Sequence, residues 1–546
     1  MKQFLSKFPF HALFFSVYPI LYLYMVNRVF IVPESVLRSL LVSAVSAIFF
    51  IVAFYLILKN WAKAGMLCSI VLFLFYTFGH VYNLMQNFKF DLSTTMLGWI
   101  WLLVFLVSSF FILRSKPNTN LTFFLNIISF GLLLMPIWTI GFYKLTSSTL
   151  SLNREREKLA VIRGQREVEK NKTLTSQPPP DIYYILVDGY ERADFLQSNY
   201  SYDNSEFLTA LEQRDFFVAL ESRSNYMNTT YSMNTSLNME YFHRFPPNLI
   251  KDARYNLQTN HVTDFLRDFG YRIIVFDSGT GDSNNQHADE FLSPCESTKR
   301  PYGSINAFEL LLMRTTMLIM VISNDLDNQE PGSQQTILYE SVNRELDLRR
   351  ERIQYTFDHL ADYATDDSPQ FIFAHIYSPH IPFLYEQNGS PLSYDKNVTI
   401  YWYETSTEQY VSLYAYQIEF LNENLITVID QILQNSSVPP IIILQSDHGD
   451  DHYLDWKNPD TLGVNIRSAI LYSVYYPDQD YSDFYPTITP VNTFRLLFNK
   501  WFNTTYPLLP DQVYFHEHPL KTPPNQVPEF MDACQIFQIC LPDYSQ

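Results

Sequence analysis

The sequence predicts an N-terminal bundle of five transmembrane helices followed by a C-terminal α/β domain, whose central, mostly parallel sheet lies between helices. Two observations support this fold class. Five long apolar segments occupy residues 1–145, and short β-rich segments alternate with longer helical ones over residues 181–546. A charged linker, residues 146–180, joins the two parts and ends in a triple proline that no helix can continue through.

The apolar segments are each close to the roughly 20 residues that a helix needs to cross a bilayer. They cover residues 9–27, 36–58, 65–85, 92–113 and 121–143. The first is long and rich in aromatic residues and lacks a small-residue cleavage site, so we expect it to be retained rather than removed as a signal peptide.

Basic residues in the short loops predict the orientation in the membrane. Six lysines and arginines lie before the first span, between the second and third, and between the fourth and fifth, against three in the other two loops. This bias places the N-terminus in the cytoplasm, and five spans then place the C-terminal domain on the outer side of the cell membrane.

The charge of the chain argues against nucleic acid as a partner, because 56 acidic residues outnumber 38 basic ones and give a net charge of -18. The sequence contains no Gly-rich nucleotide loop. Cys534 and Cys540 either form a small disulfide loop in an oxidising compartment or remain thiols, and the sequence leaves both readings open.

The C-terminal domain contains five apolar segments that read as strands and three amphipathic ones that read as helices. The strands are "DIYYILVD", "YRIIVFDSG", "PQFIFAHIYSPH", "PPIIILQSDHG" and "SAILYSVYYP". The helices are "YDNSEFLTALEQRD", "HVTDFLRDFG" and "YVSLYAYQIEFLNENLITVIDQILQN".

Three of these strands end in side chains that can bind a metal or take part in catalysis. They end in Asp188, in His380, and in Asp447 with His448. A single terminal Asp is usually a turn or helix cap, and a single His is usually structural. In open α/β sheets, however, sites form beyond the carboxyl ends of the strands. Asp188, Asp447 and His448 together therefore predict three ligands of a divalent metal ion.

The nucleophile that such a site needs is expected in "SRSNYMNTTYSMNTSLNMEYF", residues 222–242. This segment is dense in hydroxyl and amide side chains and becomes helix-compatible from about Tyr231. A hydroxyl at a helix N-terminus lies where backbone N–H groups and the helix dipole favour a phosphate or sulfate. The alternative reading is a polar loop that caps a helix.

The order of these motifs resembles the sulfatase-like branch of the alkaline phosphatase superfamily. The motifs are an Asp at the end of the first strand, a Thr in "SNYxxT", a His in "SPHIPF", and "SDHG". The resemblance covers roughly residues 181–500. Five spans followed by an outward-facing domain are similar in layout to lipoteichoic acid synthases and phosphoethanolamine transferases.

The resemblance implies a role for each matching residue. Asp188, Thr229, Asp447 and His448 would bind one divalent ion, which would be Mn, Zn or Mg. Thr229 would also be the nucleophile, and His380 would contact the transferred group or protonate the leaving group.

Two of these implied assignments have alternatives. Thr230 is a rival nucleophile, because "NTT" permits a slip of one residue. A second metal would need further ligands, and no Asp-x-x-x-His segment lies at the expected place before "SDHG". The histidines available for it are His375, His452, His516 and His518.

Two departures from the superfamily limit the substrate class. Sulfatases that form formylglycine carry a C/S-x-P-x-R segment, and residues 222–242 contain none. Lipid-modifying transferases of this layout usually begin their site with Glu, where this chain has Asp188. Arg192 and Arg223 are candidates for binding a substrate phosphate, although surface ion pairs are the commoner role of an Arg.

The predicted function is therefore a membrane-anchored enzyme that transfers or hydrolyses a phosphoryl-linked group through a covalent threonine intermediate. Its partners would be a membrane lipid or an envelope glycan. The first alternative is a phosphate or sulfate ester hydrolase that acts on non-lipid substrates. The second is a catalytically degenerate scaffold of the cell envelope.

Overall fold

The computed structural model describes residues 8–27, 34–87, 93–116, 119–146, 173–175, 179–251, 257–280, 287–294, 307–320, 336–365, 368–392, 407–516 and 528–542. Two compact units divide the chain. The first comprises Met1–Thr149 with Glu296–Glu345, and the second Leu150–Cys295 with Leu346–Gln546. Most of the predicted linker, residues 146–180, lies outside the described residues.

Five helices in the first unit are long and apolar enough to cross a membrane, which confirms the predicted number. Their bounds differ from the predicted ones by a few residues. They are α1 (Phe10–Asn27), α2 (Glu34–Leu58), α3 (Trp61–Asn87), α4 (Thr94–Arg114) and α5 (Thr119–Thr146).

The first unit also contains a segment that the sequence analysis assigned to the C-terminal domain. Helix α11 (Ala307–Thr315) packs against α1, α2 and α3, and Phe308 is fully buried in their apolar cluster. Arg38 of α2 forms a two-pronged ion pair with Glu309 of α11. This later part of the chain is therefore fixed to the apolar helices by both packing and charge.

A seven-stranded sheet forms the centre of the second unit, in the order β2-β7-β6-β1-β5-β3-β4. Its strands are β1 (Ile182–Asp188), β2 (Phe217–Val218), β3 (Arg272–Phe276), β4 (Glu290–Leu292), β5 (Gln370–Pro379), β6 (Ile441–Ser446) and β7 (Tyr472–Tyr475). The β2–β7 and β7–β6 pairs are antiparallel and the other pairs are parallel, which confirms the predicted mostly parallel sheet. All five predicted strands are present.

The helices of the second unit lie between and after these strands. They are α6 (Ala193–Tyr200), α7 (Ser205–Glu212), α8 (Thr229–Asn238), α9 (Pro247–Lys251), α10 (His261–Asp268), α12 (Thr336–His359), α13 (Thr407–Asn435), α14 (Thr461–Ser468), α15 (Pro490–Trp501) and α16 (Ala533–Phe537). Helix α12 begins within the first unit's share of the chain and continues into the second. The three predicted helices correspond to α7, α10 and α13.

Strand β1 is buried along its whole length because it lies in the middle of the sheet. Its alternate residues point to opposite faces. Tyr184 packs on one face against Phe373 of β5 and Phe494 of α15. The parallel strands β5 and β6 flank β1, so the carboxyl ends of all three strands meet at one edge of the sheet.

A smaller two-stranded sheet near the C-terminus was not predicted. It pairs β8 (Tyr514–His516) with β9 (Phe530–Asp532). Helix α16 follows β9 directly, and Cys534 within it forms a disulfide with Cys540. Of the two readings that the sequence left open, the structure has the bonded one.

Candidate active site

The three metal ligands predicted from the sequence lie together at the carboxyl edge of the sheet, and all are buried. Asp188 ends β1, while Asp447 and His448 follow the last residue of β6. The Nε2 atom of His448 is 3.2 Å from Oδ2 of Asp447 and 3.9 Å from Oδ1 of Asp188. Two strand ends therefore bring two carboxylates and one imidazole to a single point.

Thr229 reaches the same point from another segment. It is the first residue of α8, and the side chain of Asn228 caps this helix by accepting a hydrogen bond from the Thr230 N–H. The Oγ1 atom of Thr229 is 3.1 Å from Nε2 of His448. The hydroxyl of Thr229 thus contacts a predicted ligand.

His375 is closer to the cluster than the sequence analysis expected. It lies on β5 beside Leu186 of β1, and its Nε2 atom is 3.2 Å from Oδ2 of Asp188. Ligand atoms of Asp188, His375 and Asp447 all lie within 4.8 Å of one another. The sequence signal for this role is a histidine inside an apolar strand. The signal does not reveal the contact with Asp188, because that contact depends on how β5 is aligned with β1.

His380 lies at the edge of this cluster. Its backbone N–H donates to the carbonyl oxygen of Asp188 at 3.0 Å, and its Nδ1 atom is 2.7 Å from the carbonyl oxygen of Ile381. The last contact assigns the proton to Nδ1 and leaves Nε2 as the acceptor. The rings of His380 and His448 are 6.4 Å apart between centroids, so His380 is a neighbour of the cluster.

The other histidines considered for a second metal lie elsewhere. The ring of His452 stacks on Tyr410 at 4.0 Å, and the ring of His516 packs edge-on against Tyr231 at 4.9 Å. Neither belongs to the group of potential ligands around Asp188. His518 lies outside the described residues.

The arginines considered for phosphate binding are engaged with protein groups. Arg192 forms an ion pair with Asp194 at 2.7 Å and donates to the carbonyl oxygen of Ser222. Arg223 donates to the carbonyl oxygen of Asn465 and to the hydroxyl of Ser468. In this structure both side chains serve local packing between loops.

Arg467, which the sequence analysis did not single out, connects the two halves of the site. It is buried and donates from Nε to the carbonyl oxygen of Met227 at 3.0 Å and from NH1 to that of Gly449 at 2.8 Å. Its NH2 group lies 3.1 Å from Nε2 of His448. One guanidinium thereby holds the segment before Thr229 against the segment after His448.

The glycine of "SDHG" is explained by close packing. A Cβ atom on Gly449 would lie 2.4 Å from the carbonyl oxygen of Ile466 and 2.6 Å from a carboxylate oxygen of Glu191. The carbonyl oxygen of Gly449 is 3.0 Å from Nδ1 of His448 and accepts a hydrogen bond from the N–H at that atom. This contact turns the Nε2 lone pair of His448 toward Thr229 and the two carboxylates.

Burial and neighbouring charges shift the pKa values of the cluster in different directions. Burial, followed by the charge of Asp188, raises the pKa of Asp447 to about 7. Burial also acts to raise the pKa of Asp188, but the imidazoles of His380, His375 and His448 outweigh it and hold that pKa below its usual value. Burial and then the guanidinium of Arg467 keep the pKa of His448 well below its usual value, so the ring stays neutral.

The residues of this cluster fit a divalent cation. Oδ1 of Asp188 and Oδ2 of Asp447 are buried and lack hydrogen-bond partners among the described residues. Two such oxygens side by side repel each other unless a proton or a cation lies between them. A neutral imidazole and a hydroxyl complete a mixed oxygen and nitrogen set of the kind that binds Mn, Zn or Mg.

Comparison with known proteins finds similar chains among solved structures. No protein-family model and no curated protein sequence matches the chain. It is similar to the C-terminal periplasmic domain of EptC from Escherichia coli in complex with Zn, with 12% identity over 66% of this chain and 95% of that chain and a TM-score of 0.42.

Two further structures come from other organisms. The integral membrane lipooligosaccharide phosphoethanolamine transferase A (EptA) from Neisseria meningitidis shares 12% identity over 87% of this chain and 90% of that chain, with a TM-score of 0.35. The phosphonate monoester hydrolase of Agrobacterium radiobacter shares 12% identity over 65% and 86%, with a TM-score of 0.39. Phosphoethanolamine transferases are one of the groups that the sequence resembles in layout.

Proposed function

We propose that this chain is a membrane-anchored, metal-dependent enzyme that transfers or hydrolyses a phosphoryl-linked group through a covalent intermediate on Thr229. The observation that carries the proposal is the 3.1 Å contact between Oγ1 of Thr229 and Nε2 of His448, beside the buried carboxylates of Asp188 and Asp447. A threonine hydroxyl is a weak nucleophile unless such neighbours activate it. The substrate would be a phospholipid headgroup or another phosphoester of the cell envelope.

Asp188, Thr229, Asp447 and His448 would hold the cation, with His375 alongside Asp188. When bound, the cation supplies Lewis-acid polarisation of the phosphoryl oxygens and stabilises the deprotonated threonine hydroxyl. Metal binding by a His375→Gln variant tests whether His375 belongs with these ligands. The neutral state of His448 suits a ligand, because only an unprotonated nitrogen binds a metal.

The reaction divides into two displacements at phosphorus. Oγ1 of Thr229 forms a bond to phosphorus, and the bond from phosphorus to the leaving oxygen breaks. Thr229 reacts as its alkoxide, with its hydroxyl proton already released to solvent. His380 acts in its doubly protonated form, in which Nδ1–H donates to the carbonyl oxygen of Ile381 and Nε2–H gives the leaving oxygen its proton. An acceptor hydroxyl then attacks the phosphothreonine and gives its proton to Nε2 of His380, and the bond from phosphorus to Oγ1 of Thr229 breaks, which restores the threonine alkoxide. A glycan or lipid acceptor makes the enzyme a transferase, and water makes it a hydrolase.

The site would face the outside of the cell. This orientation rests on the bias of basic residues toward the loops on the N-terminal side of the membrane. A reporter that is active only outside the cytoplasm, fused after residue 180, should be active, whereas the same reporter fused after residue 116 should be silent. The reverse result would place the domain in the cytoplasm.

The test of the nucleophile uses the full-length chain in detergent with a chromogenic phosphodiester, a phosphomonoester and a sulfate ester. Thr229→Ala should abolish turnover, while Thr230→Ala, the matched change one residue away, should keep activity within about tenfold of wild type. Cleavage of a phosphate ester with loss only in Thr229→Ala supports the proposal. Wild-type activity in Thr229→Ala would refute it.

The intermediate and the alternatives can be separated in the same preparations. Acid-quenched wild-type protein should carry a phosphoryl-linked adduct on Thr229 by mass spectrometry, and Thr229→Ala should carry none. A protein that prefers the sulfate ester would favour the non-lipid ester hydrolase. A folded protein that binds no metal and cleaves none of the three esters would favour the envelope scaffold.

A further inference from the structure

Helix α12 carries four arginines, and the structure describes the side chains of three of them, whose partners differ. Arg350 forms an ion pair with Asp347 at 2.5 Å, and Arg352 forms one with Asp277 at 3.1 Å. Arg349 forms no ion pair with a carboxylate among the described residues. It is half-buried, so its charge is partly shielded from water without being neutralised by the protein.

The position of Arg349 is nevertheless fixed. Its guanidinium lies over the ring of Tyr377, with Cζ 4.0 Å from the ring centroid, and its NH1 group donates to the carbonyl oxygen of Ile381 at 3.1 Å. A cation over an aromatic face is attracted by the ring electrons. Two contacts therefore hold the side chain in one orientation before any substrate arrives.

These contacts place Arg349 next to His380. The carbonyl oxygen of Ile381 that accepts from Arg349 is also 2.7 Å from Nδ1 of His380. The ring of Tyr377 is in turn 4.9 Å from that of His380. One carbonyl and one aromatic ring thus connect a preset guanidinium to the imidazole that stands at the edge of the metal cluster.

We propose that Arg349 binds an anionic group carried by the departing part of the substrate, a phosphate or a carboxylate beyond the leaving oxygen. This inference rests on the proposed function, in which His380 protonates the leaving oxygen. Arg349 and His380 contact the same carbonyl oxygen, that of Ile381. A leaving group that takes its proton from His380 would therefore lie beside the guanidinium of Arg349. A planar guanidinium recognises an oxyanion through paired N–H donors, and its fixed orientation lowers the entropy lost on binding.

The chemistry of the step is unchanged by this contact. The bond from Thr229 Oγ1 to phosphorus forms, the bond from phosphorus to the leaving oxygen breaks, and the electron pair leaves with that oxygen. The contact of Arg349 adds affinity and alignment on the leaving side. It therefore predicts a preference among substrates that differ only in the charge of the leaving group.

The test compares two methyl phosphodiesters on the full-length protein. One releases para-nitrophenol, and the other releases the same phenol with a carboxylate on the ring beside the nitro group. The ratio of kcat/KM for the carboxylated over the plain ester should fall about tenfold in Arg349→Gln, which is the loss expected for one charge-assisted hydrogen bond. Arg349→Lys keeps the charge and should retain part of the preference.

Arg350→Gln is the matched control, because it removes a neighbouring arginine that already has a carboxylate partner, and its ratio should equal that of wild type. Product inhibition by glycerol phosphate and by a benzoate then tells a phosphate preference from a carboxylate one. An unchanged ratio in Arg349→Gln, with wild-type melting temperature, overturns the inference and leaves the proposed function standing. Absence of Thr229-dependent cleavage of both esters overturns both.

Discussion

Nε2 of His375 and Oδ2 of Asp188 are 3.2 Å apart, across two adjacent parallel strands that are buried on both faces. A buried carboxylate this close to an imidazole is held in position by the sheet itself, because the backbone ladder fixes the alignment of β1 and β5. Two strands of a rigid sheet are a more precise support for a metal site than loops are. The relationship makes His375 part of the site even though its sequence context looks structural.

We expect His375→Gln to weaken metal binding by 10- to 100-fold, which is the usual cost of losing a metal-bound or directly supporting histidine. The variant keeps the size and polarity of the side chain and should fold. Metal content after dialysis against a graded series of metal buffers, measured by mass spectrometry of the eluted ion, checks this.

His452→Gln is the control, since the ring of His452 stacks on Tyr410 away from the cluster. Its metal affinity should equal that of wild type. If His375→Gln also binds metal as wild type does, then His375 serves only to pack and polarise the strand pair.

Asp447 predicts an unusual dependence of stability on pH. Burial and the charge of Asp188 raise its pKa from 3.8 to about 7 in the folded, metal-free protein. Between these values the folded state keeps a proton that the unfolded state has lost. Asp447 should therefore cost the metal-free protein stability as the pH rises from about 4 to about 7, with the full cost of this group present above pH 7.

Asp188 does not cancel this trend in the same range. Its pKa is lowered on folding, so its contribution to stability is fully present above its unfolded pKa of 3.8 and is lost only as the pH falls below that value. A bound cation would remove the penalty at Asp447 by taking the place of the proton. Metal affinity should accordingly rise with pH up to about 7.

The measurement is thermal unfolding of chelator-treated protein between pH 5 and pH 8, wild type beside Asp447→Asn. The variant should show a smaller slope and should be more stable than wild type at pH 8 by at least about 1 kcal/mol, since one pKa unit corresponds to that energy. With metal present the order should reverse. The same pH slope in wild type and in Asp447→Asn without metal would contradict the assignment, because other groups, such as His448 with its lowered pKa, contribute equally to both proteins.

Arg467 should act on turnover through the alignment of two segments. Its guanidinium joins the carbonyl oxygens of Met227, two residues before Thr229, and of Gly449, one residue after His448. Arg467→Lys retains the charge but cannot make both contacts and reach His448 at once. We expect kcat to fall about tenfold while KM and melting temperature change little.

Arg214→Lys is the control for the exchange itself, because Arg214 pairs with Asp430 at 2.6 Å on the surface. It should leave both kinetic constants unchanged. A fall in melting temperature that matches the fall in kcat for Arg467→Lys would instead assign Arg467 to general stability.

The ends of β1 and β6 were predictable because the signal is local. A buried strand followed by a ligand-type side chain places that side chain at the carboxyl edge of a parallel sheet, and Asp188, Asp447 and His448 all follow this rule. Thr229 was reached through a family motif rather than through physics. Its position at the start of α8, capped by Asn228, agrees with the expected helix start to within two residues.

The roles that the sequence did not predict depend on contacts between distant segments, including that of His375, which was considered only for a second metal. His375 becomes part of the site only through the alignment of β5 with β1. Asn225 entered only as part of the "SNYxxT" motif, yet its amide binds Thr489 and the backbone of Val491 and Gln512 and so fixes the segment before Thr229. No local period of hydrophobicity carries information about such pairings.

The pair formed by Arg38 and Glu309 gives the last prediction. It joins α2 to α11 over a separation of 271 residues and is partly shielded from water. Reversing one charge there leaves two like charges side by side. Arg38→Glu alone and Glu309→Arg alone should each destabilise the full-length protein in detergent, and the double exchange should recover roughly 1–3 kcal/mol relative to their sum.

A second charge on the apolar helices provides the control for this cycle. Arg114 lies at the end of α4 with its guanidinium over the ring of Phe110. Combining Arg114→Glu with Glu309→Arg should give additive changes in melting temperature, because in the part of the chain that the structure describes Arg114 contacts Phe110 and Glu309 pairs with Arg38. Additive behaviour of the Arg38 and Glu309 pair as well would mean that packing of Phe308, rather than the ion pair, attaches α11 to the apolar helices.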